Sequence, residues 1–234
     1  MKIIIVPYRD DNYGFLIEQP DGKSCIAVDA GDDRAYFETA KAHALDISAV
    51  LITHHHQDHV SHLHSLASGL GEVYGPEGIP GTTQTVKDGD MLEIGGTNIS
   101  VIGTPGHTID MVNFYIPSSE VVFTGDTLFT LGCGRIFEGT PGMMFKSLQK
   151  LSALPNETLV YGAHEYALAN LDFALSEEPN NDTIENRGEI IRQLRLEGKP
   201  TVPSTIGLEL ATNPFLRAQT AEEFTRLRAA KDAF

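Results

Sequence analysis

Between Thr53 and His59 the chain sets out four side chains able to hold a metal ion, His54, His56, Asp58 and His59, in the order His-x-His-x-Asp-His. Imidazole nitrogen and carboxylate oxygen suit zinc, iron and manganese, and a catalytic site usually takes three protein ligands per metal and leaves a position for water. Four ligands exceed one such set.

The apolar run Ala49, Val50, Leu51 and Ile52 leads directly into this cluster, as a buried strand emptying into a loop would. On a helix, positions 54 and 56 would point to nearly opposite sides. In a turning loop they converge, so one segment can serve two neighbouring metal pockets. Three further segments have the same form, a strand ending in His or Asp beside small residues: residues 100–107 ending at His107, 121–126 ending at Asp126, and 158–164 ending at His164. Gly106, Gly125 and Ala163 precede these residues and leave room for backbone to approach a buried ion. Four strand ends thus supply seven candidate ligands.

The elements that must position them are read from apolar periodicity. Strand-like runs occur near 2–6, 13–18, 24–29, 47–53, 98–103, 111–116, 120–124 and 158–161, and residues 91–94 and 98–101 flank Gly95 and Gly96 as the arms of a hairpin. Helical patterns fall near 33–45, 61–69 and 141–153. After His164 strands nearly vanish, and 165–177, 181–197 and 220–232 read as helices. The expectation is a mixed α/β (α+β) catalytic domain over residues 1–165 and a small helical, substrate-binding domain over 166–234. There are no repeats, low-complexity tracts or long linkers.

With these residues in view, the chain resembles the metallo-β-lactamase superfamily, whose pattern is His-x-His-x-Asp-His followed by a later His, a bridging Asp and a final His. Within it the resemblance is strongest to glyoxalase II, the hydroxyacylglutathione hydrolases. It is carried by Asp11-Asn12-Tyr13, Val28-Asp29-Ala30-Gly31-Asp32, the triple His, residues 131–140, Gly162-Ala163-His164-Glu165-Tyr166, residues 168–174, Asn213-Pro214-Phe215-Leu216-Arg217 and residues 228–232, nearly end to end. The resemblance implies an αββα sandwich with a C-terminal helical domain. It implies a first metal on His54, His56 and His107, a second on Asp58, His59 and His164, and Asp126 bridging. Two divalent ions are expected, zinc first, with iron or manganese also suited to the set. His55 has no ligand role in that pattern, and His62 and His64 fall on the following helix.

The implied reaction is hydrolysis of S-2-hydroxyacylglutathione, such as S-D-lactoylglutathione, to glutathione and a 2-hydroxy acid such as D-lactate, the second step of methylglyoxal detoxification. Two divalent ions sharing a water lower its pKa from about 15.7 toward roughly 7, so no side-chain nucleophile is needed. Asp58 would help orient that metal-bridging water. A thioester suits such a site because a thiol of intrinsic pKa about 8.5 leaves as thiolate with little acid assistance. The family's contacts to the glutathione carboxylates correspond here to Arg135, Tyr166, Arg228 and Lys231. Phe137 stands where many relatives have tyrosine, and Arg135 where lysine is common. Two other readings are an iron-dependent glutathione persulfide dioxygenase, sharing the first ligand motif, and a binding-only protein with a degenerate site.

Other features narrow the field. The chain has 234 residues, 41% hydrophobic, enough for a substantial core. A net charge of −15 disfavours a nucleic-acid surface. No apolar stretch approaches the ~20 residues that span a bilayer, and Ile3 to Val6 is too short for a signal-peptide core. A cytoplasmic monomer acting on a small glutathione thioester, without nucleic-acid or membrane partners, is the expectation. Cys25 reads as strand packing and Cys133 as a small loop residue. Asp29, at a strand end, reads as a carboxylate that orients a ligand histidine.

Overall fold

The structure, a computed structural model, describes all 234 residues, which form two compact units: residues 1–103 with 110–119, and residues 104–109 with 120–234.

The first unit runs β1 (Ile3–Tyr8), β2 (Asn12–Glu18), β3 (Ser24–Val28), α1 (Asp33–Ala42), β4 (Asp46–Leu51), α2 (Gln57–Val60), α3 (Leu63–Leu66), β5 (Val73–Gly75), β6 (Gln84–Thr85), β7 (Met91–Ile94), β8 (Thr97–Gly103) and β9 (Val112–Ile116). Strands β1 to β6 form one sheet in sequence order. The first two pair antiparallel from Ile3↔Ile17 to Tyr8↔Asn12, whereas β3 and β4 are parallel and joined by α1. A parallel pair needs such a crossover. Its register, ending at Val28↔Leu51, brings Asp29 and the start of the 53–59 segment to the same end of the strands.

Helix α1 begins where Asp32 accepts a hydrogen bond from the Ala35 N–H, and it stops before Ala44, whose φ of 54° no helix continues. It buries Tyr36 and Ala40 in a core shared with Val6, Leu16, Ala27, Val50 and Ile52. Burying each large aliphatic side chain contributes about 1.5–3 kcal/mol, so β4, apolar from Ala49 onward, is held firmly just before the ligand segment. Strands β7 and β8 form the expected hairpin, with Gly95 and Gly96 both at positive φ, the backbone a two-residue turn demands. Strand β9 pairs antiparallel with β8.

The second unit contains β10 (Val121–Gly125), β11 (Leu128–Phe129), β12 (Gly132–Cys133), α4 (Pro141–Ser152), β13 (Leu159–Gly162), α5 (Ala167–Glu177), α6 (Asp182–Leu196), β14 (Ser204–Thr205), α7 (Ile206–Thr212), α8 (Pro214–Arg217) and α9 (Ala221–Ala233). Here the same device recurs: β10 and β13 are parallel and ordered from Val121↔Leu159 to Gly125↔Gly162, so Asp126 and His164 emerge side by side. Side-chain caps at Thr140, Asn181, Thr205 and Thr220 start four of the helices. Leu131, Leu171, Ala174, Ile184 and Ile191 form the helical core.

The structure departs from the sequence expectation in the short elements. The single helix expected near 61–69 is two four-residue helices, and the first, α2, starts early enough to carry Asp58 and His59. These two candidate ligands therefore sit on a helical turn rather than in an open loop, because the His59 N–H bonds back to the His56 carbonyl. Strand β14 also follows His164, pairing antiparallel with β13 in a stretch between the expected helices where the sequence pattern assigns no element.

Candidate metal centre

In the first unit the ligand segment is pinned before its histidines begin. The Thr53 N–H donates to Asp29 Oδ1 at 2.9 Å, and the Thr53 hydroxyl lies 3.0 and 3.1 Å from the two Asp29 oxygens. Asp29 is buried and adopts φ 64°, a left-handed conformation that Asp tolerates better than most residues. Its Oδ2 lies 2.8 Å from His59 Nδ1. That contact commits Nδ1 as the protonated nitrogen and presents Nε2 as the electron-pair donor, the usual outer support of a metal histidine. Asp29 thus takes the orienting role its strand-end position suggests. His54 is held likewise, with Nδ1 3.1 Å from the Thr53 hydroxyl.

Three imidazoles gather at this point: the ring of His54 lies 4.2 Å from that of His59 and 4.7 Å from that of His56, centroid to centroid. Asp58 Oδ2 is 3.4 Å from His59 Nε2. Two donors bound about 2.05 Å from one tetrahedral ion would lie roughly 3.3 Å apart, so this is the spacing of ligands on a shared ion. Asn12 Nδ2 donates to the same Asp58 oxygen at 3.0 Å, and the Tyr8 hydroxyl donates to the Asp58 carbonyl, also at 3.0 Å. Only glycine fits at position 31, where a Cβ would fall 2.0 Å from that carbonyl oxygen. His55 is half exposed and pairs with Asp110 at 3.0 Å.

In the second unit the carboxylate of Asp126 reaches two different histidines. Its Oδ2 lies 3.3 Å from His107 Nε2 and its Oδ1 3.3 Å from His164 Nε2, all three side chains being almost fully buried. Both separations again match neighbours around an ion, and each falls on a different oxygen of the carboxylate. His107 Nδ1 donates to the Arg135 carbonyl at 2.9 Å, which aims Nε2 at Asp126. Gly134 permits that approach, since a Cβ there would lie 2.0 Å from the Asp126 carbonyl oxygen. The His164 ring is stacked on Tyr166, 4.8 Å away with planes 6° apart, and meets Phe129 edge-on at 5.7 Å.

The tail helices fix the turn behind these rings. Glu209 Oε2 accepts from the Leu131 N–H and from Asn213 Nδ2, each at 2.9 Å, while Asn213 Nδ2 also donates to the Gly132 carbonyl and Asn170 Nδ2 to that of Thr130. Leu131 has φ 59°, a strained conformation that these bonds hold in place. Glu209 is fully buried, with its charge matched by Arg187.

The donor chemistry fits a divalent transition metal. Nitrogen dominates, carboxylate oxygen completes the set, and no array of six to eight oxygens of the kind calcium takes is present. The histidine nitrogens committed to Asp29 and to the Arg135 carbonyl leave the opposite nitrogens to face the carboxylates.

A cavity of about 610 Å³ in the second unit reaches Asp126 and is lined by Phe129, Arg135, Tyr166, Lys231 and Phe234 among others. Of the four expected substrate contacts, Arg135 and Tyr166 are exposed or nearly so, and Lys231 is partly buried. Burial first, then the nearby Arg228 and Arg135, pull the Lys231 ammonium below its usual range, with Asp172 opposing. Its Nζ donates to the Ala169 carbonyl at 2.6 Å. Arg228 also borders the cavity but is buried: Nη1 donates to the Cys133 carbonyl at 2.9 Å and the guanidinium lies 5.0 Å from the Phe215 ring centre. Cys133 sits in β12, and burial pushes its thiol up to about 11, so it is neutral and a poor nucleophile at pH 7. Phe137 is exposed with its ring edge-on to His107, centroids 5.2 Å apart.

Sequence reading did not single out Asn12, Glu209 or Asp232. Asn12 stands in a quoted motif, but nothing in its spacing links it to Asp58, 46 residues away.

Comparison with known proteins bears on the same segments. A family model described as "Metallo-beta-lactamase superfamily" matches residues 9–77 and 69–164, and one described as "Hydroxyacylglutathione hydrolase C-terminus" matches residues 165–234. The hydroxyacylglutathione hydrolase of Brucella anthropi is 46% identical over 224 residues, covering 94% of this chain and 86% of that protein. That of Mesorhizobium japonicum is 42% identical over 245 residues, covering 97% and 96%. Among solved structures, that of ETHE1 from Myxococcus xanthus superposes with a TM-score of 0.74 at 26% identity, over 98% of this chain and 90% of that one.

Proposed function

Since the chain belongs to the hydroxyacylglutathione hydrolase family of the metallo-β-lactamase superfamily, we propose that it hydrolyses S-2-hydroxyacylglutathione, typified by S-D-lactoylglutathione, to glutathione and a 2-hydroxy acid. It is a metal-dependent thioester hydrolase with the αββα sandwich fold and a C-terminal helical region. The observation that carries the reading is Asp126, whose two oxygens address different histidines at ligand spacing while its side chain borders a cavity furnished with cations.

On this reading His54, His56 and His107 hold one divalent ion, Asp58, His59 and His164 hold a second, and Asp126 bridges them; zinc is the first choice, with iron or manganese compatible. Metal held there would supply a water whose pKa is lowered from about 15.7 toward roughly 7 and stabilisation of negative charge on a carbonyl oxygen. The chain's own residues prepare that chemistry. Asp29 and the Arg135 carbonyl keep His59 and His107 in the tautomer that offers Nε2. Asn12 holds the Asp58 carboxylate in place through its Oδ2, and Asp58 would help orient a nucleophilic water. Arg135, Lys231 and Tyr166 receive the glutathione moiety, with Arg228 as the strut behind them. No side chain of the cavity need supply a nucleophile, and the raised Cys133 thiol is unsuited to do so.

We assign catalysis to residues 1–165 and glutathione binding chiefly to 166–234, supported by the two family matches that abut at residues 164 and 165. A cytoplasmic monomer without nucleic-acid or membrane partners completes the proposal; no helix is long and apolar enough to cross a membrane. The test is turnover of S-D-lactoylglutathione by purified protein, before and after chelation. Hydrolysis that chelator abolishes and added metal restores is expected. Oxygen uptake with glutathione persulfide in place of thioester hydrolysis would overturn the assignment in favour of an iron-dependent dioxygenase.

A further inference from the structure

We propose that Asp232 tunes affinity at the cavity, a resident carboxylate that pairs with its guanidiniums before substrate arrives and keeps glutathione from binding too tightly to leave. This rests on the reading above that the cavity receives the glutathione moiety.

Asp232 lies on α9 with its side chain 44% exposed, and its Oδ1 accepts from Arg228 Nη2 at 2.9 Å and sits 3.6 Å from Arg135 Nε. The two cations differ in what remains to them. Arg228 is almost fully buried, and its other terminal nitrogen is bound to the Cys133 carbonyl, so it anchors Asp232 rather than reaching outward. Arg135 is 64% exposed, lines the cavity and makes no other ion pair. An arriving carboxylate must compete with Asp232 for that guanidinium.

The chemistry gives this competition a purpose. The thioester substrate and the thiol product carry the same two glutathione carboxylates, so a contact to either stabilises substrate, transition state and product alike. Such uniform binding lowers KM without raising kcat, and it retains the product. A carboxylate built in beside Arg135 offsets part of that binding: it yields the guanidinium when an anion enters and takes it back when the anion departs. The i, i+4 bond to Arg228 holds it ready, at little entropic cost.

Asp232→Asn removes the charge yet keeps an oxygen for Arg228 to donate to. In the metal-loaded enzyme we expect KM for S-D-lactoylglutathione and Ki for glutathione to fall together by about two- to fivefold, the worth of one partly exposed ion pair, with no gain in kcat. Calorimetric titration of glutathione should show the same fold-change in Kd without turnover. In an Arg135→Gln background the substitution at 232 should change neither constant. Normal wild-type turnover with unchanged or raised constants in Asp232→Asn, or an equal effect in the Arg135→Gln background, would overturn the role of Asp232 alone. A wild-type protein that neither hydrolyses the thioester nor binds glutathione would overturn the functional reading, and this proposal with it.

Discussion

Asp126 does more than any other single residue to define the site, because each of its oxygens has its own histidine. On the proposed binuclear reading, Asp126→Ala should deplete metal from both positions, lowering bound metal from about two ions per chain to well under one and abolishing chelator-sensitive turnover. Elemental analysis of the purified variant checks this, and normal metal content would refute the bridging role. All seven candidate ligands were legible in the sequence, since each is a strong ligand type at the end of an apolar run. Their supports were legible only in part. Asp29 gave a signal by ending a strand, whereas Asn12 and Glu209 act through hydrogen bonds across 46 and 78 residues, and Asp232 through an ion pair to the distant Arg135, contacts that leave no spacing pattern. The cationic set was visible by residue type alone: that Arg228 is a buried strut and Arg135 an outward guanidinium depends on burial, which charge does not reveal.

At the scale of elements, two parallel pairs do equivalent work. Strands β3 and β4 align Asp29 with the ligand segment, and β10 and β13 align Asp126 with His164. The long strands and helices declared themselves through periodicity. Two-residue strands such as β11, β12 and β14, and the one-turn helices α2, α3 and α8, are too short to show a period and depend on tertiary hydrogen bonds. One contact between tail elements yields a pH prediction. Arg217 on α8 donates to Glu178, which caps α5, and this bond is the main cause holding the Glu178 carboxyl below its ordinary value of 4.5. A folded-state pKa below the unfolded one gives stability that is fully present above the unfolded value and is lost as pH falls through the folded one. The Tm of Arg217→Gln should thus lie slightly below wild type near pH 6, and the gap should shrink as pH falls below 4.5; both side chains are about one-third exposed, so the gap is small. A gap independent of pH would assign the effect to packing instead.

At the scale of the whole molecule, a net charge of −15 sets the long-range field against an anionic substrate. Screening confines that field to about 8 Å at physiological salt, so the local cations decide binding once a ligand has arrived. The same composition that argues against nucleic acid thus makes the cavity's few cations matter more. The fold class was legible because strand and helix patterns change character after His164, while the pairing of β14 with β13 was hidden in a two-residue strand. The account's central claim is a pair of cooperating metal positions that serve thioester hydrolysis. The most direct measurement is a zinc titration of metal-free protein, reading bound metal and S-D-lactoylglutathione turnover at each addition. The account predicts that activity rises until about two equivalents per chain are bound and then levels off. Full activity at one equivalent, or two bound ions with no turnover, would contradict it.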